Sequence, residues 1–265
     1  MSSTVNFKGK DIYFESRGQG RVIVLLHGFL GALQIWNEFS EALAKNYRVV
    51  TVDLPGHGQS AVLEEVHTME LMAESVKAVL DELEINECVV IGHSMGGYVA
   101  LAFARLFPKL VKGLGLFHSQ AAADSVETKE NRRRTVNIVK LNHGGFISEF
   151  IPDLFAKANV LKFQDEIEQM KNLALKTPKE GVIAAIEGMK QRSGSFDLLI
   201  NSQMPFLFIA GKEDARIPVQ NIMAQAILPQ HAQVLILANV GHVGFVEAKA
   251  ETLKMIKGFL VQVYG

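Results

Sequence analysis

Three stretches of this chain are almost wholly apolar and run into glycine-bearing turns: "RVIVLLHG" (Arg21–Gly28), "YRVVTVDLPGHGQS" (Tyr47–Ser60) and "CVVIG" (Cys88–Gly92). A strand apolar on both faces must be covered on both faces, which marks the interior of a parallel sheet. Helix-forming segments separate these strands, at about Trp36–Lys45 and Met69–Leu83, and a third, Met95–Phe107, stops before Pro108. A glycine-bearing strand, Val111–Ser119, follows. Strand and helix alternating at this spacing predict an α/β fold, a mostly parallel sheet with helices on both faces. Ahead of it, two short alternating segments, Val5–Phe7 and Ile12–Glu15, flank Gly9 in "KGKD" and predict a hairpin.

The rhythm then breaks. From Gln120 to Gln203 the segments are charged and helix-forming, and no apolar strand interrupts them; strands resume with "MPFLFIAGKED" (Met204–Asp214) and "AQVLILANV" (Ala232–Val240). Helices are expected around Val219–Ile227 and Glu247–Val263. The expected organisation is a core of residues 1–119 and 204–265, with a helical cap of residues 120–203 inserted between two strands. Ligands of open α/β sheets bind beyond the carboxyl ends of the strands, so an insertion leaving from such an end is placed to roof the site.

Composition removes other classes. The formal net charge is −1, which gives no bulk attraction to nucleic acid or an anionic membrane. The apolar runs are shorter than the ~18 residues of a membrane helix, and the first twenty residues do not read as a signal peptide. The single cysteine, Cys88, allows no internal disulfide and reads as a core thiol. A cytoplasmic protein, monomer or homodimer, is expected, with a small-molecule partner. There is no H-E-x-x-H, no paired C-x-x-C and no G-x-G-x-x-G between strand and helix, so no cofactor and no metal is implied.

One junction carries chemistry. "GHSMG" (Gly92–Gly96) matches G-x-S-x-G between a buried strand and a helix. A turn this sharp strains the backbone of Ser94 and leaves no room for side chains beside it, which is what Gly92 and Gly96 provide. It also holds the Ser94 hydroxyl above the sheet, over the positive end of the next helix. A serine hydroxyl needs a base. Among the histidines, His242 in "NVGHVGFVE" follows the last strand and meets the same edge of the sheet. His27 and His57 fall in glycine-rich loops, His93 adjoins the serine but is expected to point elsewhere, His118 ends a strand, and His67, His143 and His231 lie in polar stretches. The imidazole needs an orienting carboxylate. Asp214, in the polar turn after a resumed strand, fits the chain order Ser, Asp, His; Asp124, just past the strand ending at Ser119, is the rival, and Glu213 is expected to face away. The backbone N–H groups of Phe29, in "LLHGFLG", and Met95 are the expected oxyanion donors.

These pieces together, "HGF" (His27–Phe29), "DLPGHGQS" (Asp53–Ser60), "GHSMGG" (Gly92–Gly97), "GKEDARIP" (Gly211–Pro218) and "GH" (Gly241–His242), resemble the α/β-hydrolase superfamily, in particular its small esterase-like members with a helical cap. The resemblance implies an eight-stranded, mostly parallel sheet, with Ser94, Asp214 and His242 as nucleophile, acid and base. It implies a serine hydrolase acting on a carboxylic ester or lactone through an acyl-enzyme. Carbon–carbon bond hydrolases, perhydrolases and ligand-binding receptors keep the same fold and serine. The serine argues against haloalkane dehalogenases and epoxide hydrolases, which use aspartate there. In the cap, Arg132, Arg133 and Arg134 read as a solvated helix face or a carboxylate site, and Phe146, Phe150, Phe155 and Phe163 as an acyl pocket or the cap's own core.

Overall fold

The computed structural model describes all of residues 1–265. Its strands are β1 (Ser2–Phe7), β2 (Lys10–Arg17), β3 (Val22–Leu26), β4 (Arg48–Val52), β5 (Cys88–His93), β6 (Val111–Phe117), β7 (Phe206–Gly211) and β8 (Ala232–Leu237). Its α-helices are α1 (Asn37–Leu43), α2 (Met69–Glu82), α3 (Met95–Leu106), α4 (Val126–Leu141), α5 (His143–Phe150), α6 (Gln164–Ala174), α7 (Lys179–Gln191), α8 (Phe196–Asn201), α9 (Val219–Ala226), α10 (Gly244–Glu247) and α11 (Lys249–Tyr264). The eight strands form one sheet in the order β1-β2-β4-β3-β5-β6-β7-β8.

The hairpin turns through Lys8 and Gly9, both at positive φ, the backbone a two-residue turn demands. β1 and β2 pair antiparallel, β2 meets β4 antiparallel, and every later pairing is parallel. The apolar stretches behave as their composition requires: β3, β5 and β7 are buried at every position. β8 is the exception, half-exposed because it closes the sheet edge. Cys88 is a fully buried thiol whose pKa burial pushes up to about 12, so it stays protonated and inert.

The strand order reverses between β3 and β5: the chain leaves β3 for β4 on one side, then returns to build outward on the other. A crevice opens at such a switch point. The segment after β3 carries Phe29 and the segment after β5 carries Ser94. His118, Asp214 and His242 follow β6, β7 and β8 at the same end of the sheet. Between β6 and β7 the chain forms no strand and makes α4 to α8. Apolar positions in these helices, among them Val136, Val139, Ile147, Ile167, Val182 and Ile186, join the main core cluster.

Candidate active site

Ser94 sits at φ +50°, ψ −115°, a conformation that costs a non-glycine residue about 1–3 kcal/mol. Its neighbours hold it there. A Cβ on Gly92 would fall on the backbone of Gly96, and one on Gly96 would come within 2.6 Å of the carbonyl oxygens of Leu26 and His27. The Ser94 N–H donates to the Phe117 carbonyl at 2.9 Å, and the Ser94 carbonyl accepts from the Gly97 N–H at 2.9 Å and from Ser119 Oγ at 2.7 Å. The hydroxyl does not cap the helix it precedes. It faces a cavity of about 350 Å³ that His242 also lines.

His242 is held through its backbone on both sides. Its N–H donates to the Leu154 carbonyl at 2.6 Å, and its carbonyl accepts from His93 Nε2 at 2.8 Å. Glu247 ties the loop down further, accepting from the N–H groups of Gly241 and Ala156 and from Asn159 Nδ2. The ring Nδ1 of His242 lies 2.8 Å from Asp214 Oδ2. Asp214 Oδ1 accepts from the N–H groups of Arg216 at 2.8 Å and Ile217 at 2.9 Å, so the carboxylate is fixed by its own turn. Burial pushes this carboxyl up; the charge of His242 and the hydrogen bonds from His118 and His242 outweigh that and hold it well below the usual carboxylate range.

Two further imidazoles complete the cluster. His118 places Nδ1 at 3.1 Å from the same Asp214 Oδ2, and its Nε2 accepts from the Gly244 N–H at 3.2 Å. An accepting Nε2 assigns the proton to Nδ1, so neutral His118 donates to the carboxylate. Burial lowers its pKa, in keeping with the neutral ring. His93 donates from Nε2, its Nδ1 has no partner, and burial drives its pKa well down. Gly28 makes room for that ring: a Cβ there would lie 2.5 Å from His93 Nδ1.

The Phe29 N–H has no acceptor in the protein. Met95 opens α3, and its N–H is one of the amides that a helix leaves without an internal partner. The loop bearing Phe29 is anchored by His27, which is fully buried, donates from Nδ1 to the Gly28 carbonyl at 2.8 Å and accepts at Nε2 from Leu54 N–H at 2.9 Å. Burial pushes the pKa of His27 down to about 4.

A family model described as alpha/beta hydrolase fold matches residues 21–249. The chain belongs to that family. The malate-bound structure of a thermophilic esterase from Thermogutta terrifontis superposes with a TM-score of 0.94, at 34% identity and over 100% of both chains. The dihydrolipoyllysine-residue acetyltransferase component of an acetoin cleaving system from Pseudomonas putida is 32% identical over 94% of this chain, which spans 66% of that relative's length. The pimeloyl-[acyl-carrier protein] methyl ester esterase of Aeromonas hydrophila is 27% identical over 93% of this chain and 98% of its own.

Within this α/β-hydrolase the rival acid lies elsewhere. Asp124 is bound by Arg192 Nη1 at 2.6 Å and by Arg132 through Nε and Nη2. Glu213 is exposed. His93 does not point away from the site as expected; it holds the His242 backbone. His27 and His57, in the glycine-rich loops, and His67, in a polar stretch, are fully buried. The three consecutive arginines divide, Arg132 lining the cavity while Arg133 and Arg134 pair with Glu130 on an exposed face. The four phenylalanines divide too. Phe146 and Phe150 line the cavity, and Phe155 packs with Phe163 away from it.

Sequence reasoning passed over His118 as the end of a strand and assigned no role to Arg216. His118 carried a signal, being a histidine at the carboxyl end of a central strand, the edge already expected to hold the site. His118, Asp214 and His242 offer one ligand atom each within 4.8 Å of one another. These donors are committed to hydrogen bonds: both rings meet one carboxylate oxygen, and His118 presents a proton-bearing nitrogen to it. A cation there would have to displace that proton.

Proposed function

We propose that the protein is a serine hydrolase that cleaves carboxylic esters or lactones of small acids through an acyl-enzyme. The observation that carries this reading is the strained Ser94 facing the same cavity as a histidine backed by a buried carboxylate at 2.8 Å. In this reading Ser94 Oγ attacks the carbonyl carbon as His242 Nε2 takes its proton. Asp214 keeps the Nδ1–H tautomer in place and stabilises the imidazolium that forms. The N–H groups of Phe29 and Met95 receive the oxyanion. The leaving alcohol takes the proton from His242; a water, deprotonated by the same ring, then attacks the acyl carbon and releases the acid and Ser94. Similarity to proteins described as esterases, one of them 34% identical over the whole chain, supports ester cleavage over the other chemistries of this fold.

The test is Ser94→Ala. Turnover of 4-nitrophenyl acetate is expected to fall by about four to six orders of magnitude and fluorophosphonate labelling to vanish, with the melting curve intact. A variant keeping a tenth of the wild-type rate would overturn the reading.

A further inference from the structure

The cavity in front of Ser94 is charged in one sense only. Its charged lining side chains are Arg132 and Arg216, and no carboxylate lines it. Thr128, Asn131, Arg132 and Thr135 recur at helical spacing along α4 and give it one polar wall. Phe146, Phe150, Ile186 and Met189 supply apolar surface.

The two arginines differ in what they are already bound to. Arg132 has its carboxylate, Asp124, which it shares with Arg192. The guanidinium of Arg216 makes no hydrogen bond in the protein; only its backbone N–H does. Two carboxylates lie near it. Asp214 has both oxygens taken, by two backbone N–H groups and two imidazoles. Asp153 stands 3.8 Å from Arg216 Nη2, beyond hydrogen-bond reach, and its side chain is 75% exposed. An ion pair so open to water holds little. Meanwhile the guanidinium carbon sits 4.4 Å from the centroid of the Phe150 ring, against a cavity wall, while 37% of the side chain stays open to solvent. Burial lowers its pKa, and the charges of Asp153 and Asp214 offset part of that.

A guanidinium held against the wall of a substrate cavity, with its donors free, is built to receive a planar anion in two parallel hydrogen bonds. We infer that Arg216 anchors a carboxylate of the substrate, and that the ester cleaved here carries a second, ionised carboxylate, as a half ester of a short dicarboxylic acid does. The inference rests on the ester-hydrolase reading for the reaction, and on Arg216 alone for the anion. A cavity of about 350 Å³ lies at the small end of ligand sites, which suits a short acid.

The experiment compares monomethyl glutarate with the same methyl ester bearing a terminal carboxamide, by pH-stat, and the binding of glutarate by calorimetry. Wild type is expected to favour the carboxylate ester. Arg216→Gln should cut the ratio of the two kcat/KM values by about 10- to 100-fold, the range of a hydrogen bond to a charged group. Arg216→Lys should keep part of the ratio, retaining charge but losing the fork. Asp153→Asn, which frees the guanidinium from its weak competitor, should raise it two- to threefold, roughly the scale of an exposed pair. Equal use of both esters by wild type, or an equal loss on both in Arg216→Gln, overturns the anchor. Should neither ester be cleaved, calorimetry decides separately: glutarate binding lost in Arg216→Gln keeps the anchor and sinks the esterase, and glutarate ignored by wild type sinks the anchor.

Discussion

Two buried aspartates, Asp124 a few residues past β6 and Asp214 just past β7, are each gripped by a pair of nitrogenous side chains, and the proposed chemistry uses only one of them. Asp214 lies between the imidazoles of His118 and His242. Asp124 lies between the guanidiniums of Arg132 and Arg192. Their side chains are equally hidden, 1% and 2% exposed. What separates them is whether the partner can move a proton. Imidazole exchanges its proton near neutrality, whereas guanidinium holds its own throughout. The first arrangement can serve a reaction and the second can only clamp. The clamp joins pieces distant in the chain: Arg192, just past α7, also donates to the Ala122 and Met189 carbonyls and lies 3.8 Å over the Tyr98 ring of α3. It ties the root of the helical insertion to the helix that follows Ser94.

The sharpest way to break this contrast is to neutralise each carboxylate. Asp214→Asn is expected to lower kcat/KM by about 10⁴, because an amide cannot hold the Nδ1–H tautomer or support the imidazolium. Asp124→Asn is expected to change kcat/KM by less than about tenfold while costing about 3–5 kcal/mol of stability, since it strands two cations, one of them buried. Ester kinetics beside urea melts read both. Loss of rate in Asp124→Asn with its stability intact would reverse the two roles.

A smaller effect tests the second imidazole. His118→Phe removes one of the two donors to Asp214 Oδ2. A hydrogen bond to a charged group contributes about 1.5–3 kcal/mol, so kcat is expected to fall about 10- to 100-fold, with KM moving much less. His118 does not itself line the cavity and acts through Asp214, so a change confined to KM would remove this positioning role.

The contrast also marks what could be read without the structure. The elbow was legible because its chemistry is local: "GHSMG" spells out which positions tolerate no side chain, and the strand before it and the helix after it lie in the same short stretch. The order of the buried strands gave the sheet, since a strand covered on both faces has one kind of place to go. Asp214 and Asp124, by contrast, are each an acid a few residues past a buried strand, and only the chain order Ser, Asp, His favoured Asp214 in sequence. Their difference is made by Arg192 and His118, residues 68 and 96 positions away. The same holds for Arg216, whose meaning lies in the partner it lacks. Phe146 and Phe150 differ from Phe155 and Phe163 only in which way the insertion folds over the sheet, and helical spacing within so irregular a segment does not carry that.

The smallest expected effect distinguishes the two sites by proton linkage. Burial holds the pKa of His118 below its ordinary value of about 6.5. Below that pH the unfolded chain takes up a proton that the folded His118 refuses. Stability therefore falls as pH drops from about 6.5 towards the lowered folded value, by at most ~1.36 kcal/mol per pH unit for each such histidine. His27 and His67, each pushed down to about 4 by burial, add to the same slope. Asp53 opposes it: burial raises its carboxyl to about 6, so its contribution is present at low pH and lost as pH rises through that value. Asp214, held well below the usual carboxylate range, stays ionised from pH 6.5 to 5 and adds no slope there. Urea midpoints measured from pH 6.5 to 5 should therefore fall less steeply for His118→Phe than for wild type, by up to about 1 kcal/mol per pH unit. Asp124→Asn should melt earlier at every pH, since it strands two cations. Parallel slopes for wild type and His118→Phe would mean that His118 takes up its proton while folded, and the neutral donor to Asp214 would have to be abandoned.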